Sequence, residues 1–208
     1  MSVLETLAKH KLLPVIVIDD PAHAAPLADA LIAGGLPVAE ITMRTPAAEA
    51  SMREMARRKE ITLGAGTVLS VDLVKKALDA GAKYIVTPGF NPKVVEYCVE
   101  NKIPITPGVA TCTEIEFALD RGVNIVKFFP AESIGGAKAL KAICAPYGHV
   151  KFIPTGGITE KTLPDYLAIK QVHAVGGSWM VAKDLLNAGK FDEVRRLTRA
   201  AVEMVAKA

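Results

Sequence analysis

Short β-branched runs alternate with amphipathic stretches along the chain. Leu73, Val74, Ala77 and Leu78 form an apolar stripe with a period of about 3.6 residues, which predicts a helix that ends near Gly81. The runs themselves are short and rich in valine and isoleucine, which is typical of buried strands. Eight of them begin near Pro14, Val38, Ile61, Tyr84, Ile105, Ile125, Lys151 and Ala174, at intervals of 20 to 26 residues. The pattern therefore predicts eight strand–helix units.

Strands that alternate with helices pair in parallel, and their crossovers are nearly always right-handed. A closed (β/α)8 barrel and an open doubly wound sheet both satisfy this pattern. The near-constant spacing, and the lack of a dinucleotide-binding glycine motif after the first strand, favour the (β/α)8 TIM barrel. An additional N-terminal helix is predicted over about Ser2–His10. Because no linker or low-complexity tract interrupts 1–208, we expect a single domain.

Composition and charge exclude several classes of protein. The 208 residues include 25 basic and 22 acidic ones, and the net charge of +3 is too small to predict binding to nucleic acid or to an anionic membrane. No uncharged apolar run approaches the roughly 18 residues that a membrane helix needs, and the first residues lack a secretion signal. Cys98, Cys112 and Cys144 are widely separated, which argues against a disulfide framework. We therefore expect a cytoplasmic protein.

The second predicted strand carries charged residues where a packed interior is expected. Because side chains alternate along a strand, Glu40, Thr42 and Arg44 share one face, while the apolar residues between them share the other. Buried charges are unfavourable unless they are paired or contact a ligand. A structural ion pair is the alternative interpretation. The position of Arg44 at the carboxyl end of its strand favours a ligand site.

A second buried charge is predicted in the sixth strand. Lys127 lies within Ile125–Phe129, and the alternation turns it away from the helices and towards the interior. Burial disfavours the charged ammonium, and attack on a carbonyl requires a neutral amine. A lysine that extends to solvent from an edge strand is the alternative. Together with Glu40 and Arg44, Lys127 predicts a nucleophile.

Two glycine pairs follow the last two predicted strands. Gly156 and Gly157 end the seventh strand, and Gly176 and Gly177 end the eighth, followed by Ser178. In this fold, the loops after these strands form the recurrent phosphate site. Glycine allows backbone N–H groups to approach an oxyanion, and a helix N-terminus adds positive potential. We expect these loops to bind a phosphate.

These motifs together resemble the 2-dehydro-3-deoxy-phosphogluconate (KDPG) aldolase and 4-hydroxy-2-oxoglutarate aldolase family. The resemblance extends in order across nearly the whole chain. It is carried by Glu40–Thr45, Gly64–Val68, Lys127–Glu132, Pro154–Ile158 and Gly176–Trp179.

The resemblance implies a class I aldolase, a lyase that cleaves 2-dehydro-3-deoxy-6-phosphogluconate reversibly to pyruvate and glyceraldehyde 3-phosphate. It also implies cleavage of 4-hydroxy-2-oxoglutarate to pyruvate and glyoxylate as a second activity. Lys127 would form the imine with the 2-oxo group, and Glu40 would be the general acid and base. Arg44, with Thr67 beside it, would hold the carboxylate.

The remaining site residues are also implied by the resemblance. Thr155 and Phe129 would line the reacting end, and Pro88 would shape the wall near the imine. The backbone of the two loops, with the Ser178 hydroxyl, would hold the phosphate, through Gly156, Gly157 and Gly177. Family members need no cofactor or metal and are commonly homotrimers, so the expected partners are a 2-oxo acid, a phosphorylated aldehyde and two further copies of the chain. The four scattered histidines fit the lack of a metal site.

Two departures from the family pattern affect the expected substrate. Some relatives carry an arginine in the first strand, where this chain has only the apolar run Val15–Ile18. Ala110 stands where relatives often have serine or methionine. Two other functions remain open: a phosphosugar isomerase or epimerase in which Glu40 abstracts a proton, and a non-catalytic scaffold or assembly subunit that retains an aldolase fold.

Overall fold

The computed structural model describes residues 2–207, in which parallel strands alternate with helices. The strands are β1 (Leu12–Ile16), β2 (Val38–Thr42), β3 (Thr62–Gly66), β4 (Ile85–Val86), β5 (Ile105–Thr106), β6 (Gly108–Val109), β7 (Ile125–Phe128), β8 (Lys151–Pro154) and β9 (Val175–Gly177). The helices are α1 (Val3–His10), α2 (Ala24–Ala33), α3 (Ala48–Met55), α4 (Val71–Asp79), α5 (Pro92–Glu100), α6 (Cys112–Leu119), α7 (Gly136–Cys144), α8 (Leu163–Leu167), α9 (Lys183–Asn187) and α10 (Phe191–Lys207). Each predicted run therefore contains or adjoins at least one strand.

The prediction of a closed eight-stranded (β/α)8 barrel was wrong. The strands of residues 2–207 form one six-stranded sheet in the order β5-β4-β3-β2-β1-β9 and a separate three-stranded sheet in the order β6-β7-β8. Every pairing is parallel, as expected. The fold is an open, half-barrel arrangement of two parallel sheets rather than one continuous cylinder.

Two local features explain why the hydrogen-bonded sheet does not close. The run near Ile105 is divided at Pro107, which has no N–H to donate to a ladder, so β5 pairs with β4 whereas β6 pairs with β7. At the other junction, β8 meets the segment around β9 only through isolated bridges, Phe152 with Val172 and Thr155 with Gly176. The regular spacing of the predicted strands along the sequence does not predict either interruption.

Helix ends follow local sequence signals. Ser2 caps α1, and Glu5 completes a capping box by accepting the backbone N–H of Ser2 at 2.7 Å. Gly81 follows α4 with a φ of 98°, in the left-handed region that favours glycine. The predicted additional N-terminal helix is therefore present, and it precedes β1 at the amino-terminal edge of the sheet.

Strand β2 is buried on both faces, which fixes the one charged residue that it carries, Glu40. Ala39 and Ile41 are fully buried in the apolar core. The hydroxyl of Tyr84, itself fully buried, donates to the carbonyl of Ala39 at 2.9 Å. Burying a side chain such as that of isoleucine stabilises a fold by about 1.5–3 kcal/mol. The outer face of β2 therefore anchors the strand, and its inner face presents Glu40 and Thr42 to the interior.

No helix within residues 2–207 combines the length and the apolar character needed to span a membrane.

Candidate active site

Lys127 and Glu40 form a buried ion pair between the two sheets. Lys127 Nζ lies 3.5 Å from Glu40 Oε1, and the two side chains are 7% and 0% exposed. Lys127 extends from β7 in the three-stranded sheet, whereas Glu40 extends from β2 in the six-stranded sheet. The ammonium also lies 5.2 Å from the centroid of the Phe129 ring, within the range of a cation–π interaction. Because burying either charge alone is strongly unfavourable, the pair stabilises both in this position.

The Glu40 carboxylate fits beside β3 because Gly66 has no side chain. A Cβ at Gly66 would lie 2.0 Å from Glu40 Oε1. Gly66 pairs with Thr42 in the β2–β3 ladder, so the backbone of β3 passes directly beside the carboxylate. Glu40 Oε2 has no hydrogen-bond partner among the described residues. Oε1 therefore faces Lys127, while Oε2 is a buried carboxylate oxygen without a protein donor.

Arg44 and Thr67 lie at the carboxyl ends of neighbouring strands. Arg44 follows β2, and Thr67 directly follows β3. Thr67 has a φ of 56°, a conformation that is rare for a β-branched residue and typical of positions fixed by function. The end of β2 is tied to the end of β1, because the Thr42 hydroxyl donates to the carbonyl of Ile16 at 2.8 Å. Arg44 is exposed and lines the cavity, where its planar guanidinium suits a carboxylate.

Lys127, Arg44 and Thr67 line a cavity of about 480 Å³. Of the eleven predicted site residues, Glu40 alone does not line this cavity; it lies behind Lys127 as the partner of its ammonium. The structure therefore brings the predicted set together in one place. The other ten are Arg44, Thr67, Pro88, Lys127, Phe129, Thr155, Gly156, Gly157, Gly177 and Ser178.

Backbone conformation favours glycine in the first of the two glycine segments, and lack of space favours it in the second. Gly156 and Gly157 have φ values of 105° and 80°. A Cβ at Gly177 would lie 1.8 Å from the Trp179 ring. Gly176, whose added Cβ would lie 2.2 Å from Thr155 Oγ1, connects the two loops through its bridge with Thr155. The loops therefore approach each other closely, backbone to backbone.

A partly buried contact behind the first glycine loop was missed by sequence reasoning. The Glu132 amide donates to the carbonyl of Gly156 at 3.0 Å, and the Tyr166 hydroxyl donates to the Glu132 carboxylate. Burial, followed by the contact with Glu132, raises the pKa of Tyr166 well above its usual value, so the hydroxyl remains a donor. Glu132 lies in the lysine motif, but the pattern carries no signal for its partner Tyr166.

Lys183 is a second residue that sequence reasoning missed. It lines the cavity, and its Nζ lies 2.9 Å from Asp19 Oδ2. The contacts with Lys183 and then with Asn187 hold the pKa of Asp19 below its usual range. The position of Lys183 shortly after Gly177 and Ser178 was an available signal, since residues that follow a strand at its carboxyl end face the same edge. The apolar residues Val15, Val17 and Val181, also not predicted, complete the wall.

None of the four histidines lines the cavity. His173 lies elsewhere, with Nε2 at 2.8 Å from the carbonyl of Leu4 in α1. Within residues 2–207, no group of three or more histidine, cysteine, aspartate or glutamate side chains is arranged to hold a metal ion.

Comparison with known proteins identifies close relatives. The family model described as KDPG and KHG aldolase matches residues 3–197. A 2-dehydro-3-deoxy-phosphogluconate aldolase from Haemophilus influenzae is 45% identical over 204 residues, which cover 98% of this chain and 96% of the relative.

Two solved structures share the architecture. The 2-keto-3-deoxy-6-phosphogluconate aldolase of Zymomonas mobilis superposes with a TM-score of 0.91 at 38% identity, covering 97% of each chain. The KDPG aldolase of Legionella pneumophila, with pyruvate captured as a covalent carbinolamine intermediate, superposes with a TM-score of 0.93 at 36% identity, covering 97% of this chain and 98% of that one.

Proposed function

Because the chain belongs to the KDPG and KHG aldolase family, we propose that it is a class I aldolase, a lyase that cleaves 2-dehydro-3-deoxy-6-phosphogluconate reversibly to pyruvate and glyceraldehyde 3-phosphate. The observation that carries this proposal is the 3.5 Å contact between Lys127 Nζ and Glu40 Oε1 at the base of the cavity. This contact places a proton acceptor, the Glu40 carboxylate, next to the amine that would attack the substrate carbonyl. Family membership favours this activity over the isomerase and scaffold alternatives.

In the first step, Lys127 attacks the carbonyl carbon C2 of the substrate. Glu40 accepts a proton from the ammonium, and the resulting neutral amine adds to C2 to form a carbinolamine. Glu40 then returns a proton to the carbinolamine hydroxyl, which leaves as water. The product is a protonated imine, and its positive charge draws electrons from the adjacent C3–C4 bond.

In the second step, the carbon chain is cleaved between C3 and C4. Glu40, as a carboxylate, takes the proton of the C4 hydroxyl through an intervening water molecule, and the C4–O bond becomes a carbonyl as the C3–C4 bond breaks. The electron pair of that bond enters the imine to give an enamine, and glyceraldehyde 3-phosphate is released. Protonation of C3 and addition of water at C2 then release pyruvate and restore the Lys127 amine.

The remaining cavity residues bind and orient the substrate. Arg44 pairs with the C1 carboxylate, assisted by the Thr67 hydroxyl. Pro88, Phe129 and Thr155 enclose the reacting carbons and limit access of water to the imine. At the opposite end, backbone N–H groups of the glycine loops and the Ser178 hydroxyl bind the phosphate, through Gly156, Gly157 and Gly177. A cavity of about 480 Å³ is within the usual range for small-molecule sites.

A second substrate follows from the same chemistry. In 4-hydroxy-2-oxoglutarate the 2-oxo group and the C4 hydroxyl have the same relation, so cleavage gives pyruvate and glyoxylate by the same steps. This acid has no phosphate, and we expect it to use the Arg44 and Lys127 contacts without the full set of glycine-loop contacts. Its kcat/KM is therefore expected to be lower.

We also propose that 1–208 form one catalytic domain and that the chain is a cytoplasmic homotrimer. The family match over residues 3–197 supports a single domain. Three free cysteines suit a reducing compartment. The trimer is implied by the family resemblance, and the exposed apolar side chains of Leu69, Val99 and Phe117 offer area for contacts between copies. Native mass measurement tests the trimer, and a monomeric mass in dilute solution would contradict it.

The decisive test of the activity is reduction by borohydride in the presence of pyruvate. Reduction converts the imine to a stable secondary amine, and peptide mapping then locates the adduct. We expect one adduct, on Lys127, and none in the Lys127→Arg variant, which keeps the charge but cannot form an imine. An adduct on an outward-facing lysine such as Lys151 or Lys138, or no adduct at all, would overturn the proposal.

A further inference from the structure

Lys183 is a cation at the rim of the cavity, and the proposed mechanism assigns it no role. Three cations line the cavity, Arg44, Lys127 and Lys183, and no aspartate or glutamate does so. The first two are assigned to the substrate carboxylate and the imine. A substrate with two anionic ends leaves its phosphate to be neutralised. Backbone N–H groups and a hydroxyl donate hydrogen bonds but carry no net charge, so Lys183 is the remaining cation.

The topology places Lys183 on the glycine side of the cavity. In the six-stranded sheet β1 lies between β2 and β9. Arg44 follows β2, whereas Lys183 follows β9 after the short helical turn Trp179–Val181. The two cations therefore flank β1 from opposite sides. Gly177 pairs with Pro14 of β1, and Gly177, Ser178 and Lys183 line the same cavity. Two cations on opposite sides of β1 in one cavity suit an acid with a carboxylate at one end and a phosphate at the other.

Asp19 holds Lys183 in its present position. Asp19 Oδ2 accepts from Lys183 Nζ at 2.9 Å and from Asn187 Nδ2 at 3.3 Å. The two charged side chains are 53% and 41% exposed, and exposed pairs of this kind contribute little to stability. Lysine carries a compact charge on a flexible stem, so it changes partner readily. A phosphate dianion carries about twice the charge of the Asp19 carboxylate and competes well for the same ammonium.

We propose that Lys183 is a specificity-determining residue that selects phosphorylated substrates. When the phosphate enters between the glycine loops, the Lys183 ammonium exchanges Asp19 for a phosphate oxygen. A substrate of the same carbon skeleton without the phosphate leaves the Lys183–Asp19 pair intact. This inference rests on the proposed aldolase activity and adds a residue to its phosphate end.

The test compares two aldehydes in aldol addition to pyruvate, glyceraldehyde 3-phosphate and glyceraldehyde. We expect Lys183→Met to raise the KM for glyceraldehyde 3-phosphate about tenfold, the loss of one charge-assisted contact. The KM for glyceraldehyde and both kcat values should change less than about twofold, because this residue does not contact the reacting atoms. Lys183→Arg should retain most of the preference. Lys190→Met is the matched control, since it removes the same charge from an exposed lysine outside the cavity.

A second variant tests the role of Asp19. Asp19→Asn removes the competing charge and should lower the KM for glyceraldehyde 3-phosphate about two- to threefold, with no effect on glyceraldehyde. If Lys183→Met leaves the ratio of the two KM values unchanged while pyruvate is still trapped on Lys127, the inference is overturned and the aldolase activity stands. If the wild-type protein traps no pyruvate, both proposals fall together.

Discussion

The two ends of the cavity are formed by different chemical groups. The reacting end consists of charged side chains on strands, with Lys127 on β7 and Glu40 on β2, both almost fully buried. The phosphate end consists of glycine backbone in the loop after β8 and at the end of β9, with Lys183 exposed at the rim. A nucleophile must be held to within fractions of an ångström, which rigid strands provide. A phosphate binds to several donors spread over its surface, and loops without side chains supply them.

This contrast predicts that substitutions at the reacting end reduce kcat and that substitutions at the phosphate end raise KM. The largest effect is expected at Lys127. Lys127→Met removes the imine, and kcat/KM should fall by at least about 10⁴-fold. It should also destabilise the fold by about 3 kcal/mol, because Glu40 is left as an unpaired buried charge. Steady-state kinetics and denaturant unfolding measure the two effects.

A double variant separates chemistry from folding at this position. Lys127→Met combined with Glu40→Gln removes both charges, so much of the lost stability should return while activity stays absent. Recovery of activity in the double variant would show that Lys127 is not the nucleophile.

Glu40→Gln is expected to have the next largest effect. The amide cannot accept protons, so kcat should fall by about 10²- to 10⁴-fold. The Lys127 amine remains, and slow trapping of pyruvate by borohydride should therefore persist. Turnover at the wild-type rate would remove Glu40 from the mechanism.

At the phosphate end, Gly157→Ala should act on binding more than on chemistry. Gly157 has a φ of 80°, and an added Cβ would lie 2.8 Å from Glu132 Cβ, so the loop must shift. We expect the KM for the phosphorylated substrate to rise about tenfold or more and kcat to change much less. Strain at a positive φ should also lower stability by about 1 kcal/mol.

Gly122→Ala is the matched control for this substitution. Gly122 has a similar φ of 74°, an added Cβ would meet nothing within 4 Å, and the residue does not line the cavity. It should lower stability by about the same 1 kcal/mol and leave KM unchanged. An equal rise of KM in both variants would assign the effect to general destabilisation instead of to the loop.

The smallest effect is expected away from both ends, at the amino-terminal edge of the sheet. Burial lowers the pKa of His173, with a smaller opposing effect from the contact with Leu4. The folded state therefore binds fewer protons than the unfolded state just below the usual histidine pKa of about 6.5, and stability should fall as the pH drops through this window. Thermal unfolding between pH 7.5 and 5.5 should show a fall in Tm of a few degrees that His173→Gln reduces. A pH-independent difference between the two proteins would contradict this assignment.

The sequence by itself determined which residues face the interior. Alternation along a strand is a local property of the backbone, so the sequence of β2 and β7 was enough to turn Glu40 and Lys127 towards one interior, whereas Arg44 lies beyond the end of β2. The first glycine pair was equally readable, because glycine is favoured at the positive φ values found at Gly156 and Gly157.

The tertiary structure alone decided the rest. Whether strands close into one cylinder depends on hydrogen bonding between segments distant in sequence, and the break at Pro107 and the isolated bridges between β8 and β9 kept the two sheets separate. The fit of Gly66 beside Glu40 and the pairing of Lys183 with Asp19 also join distant segments. Local patterns fix the direction of a side chain, whereas its partner is fixed only when the packed chain brings two segments together.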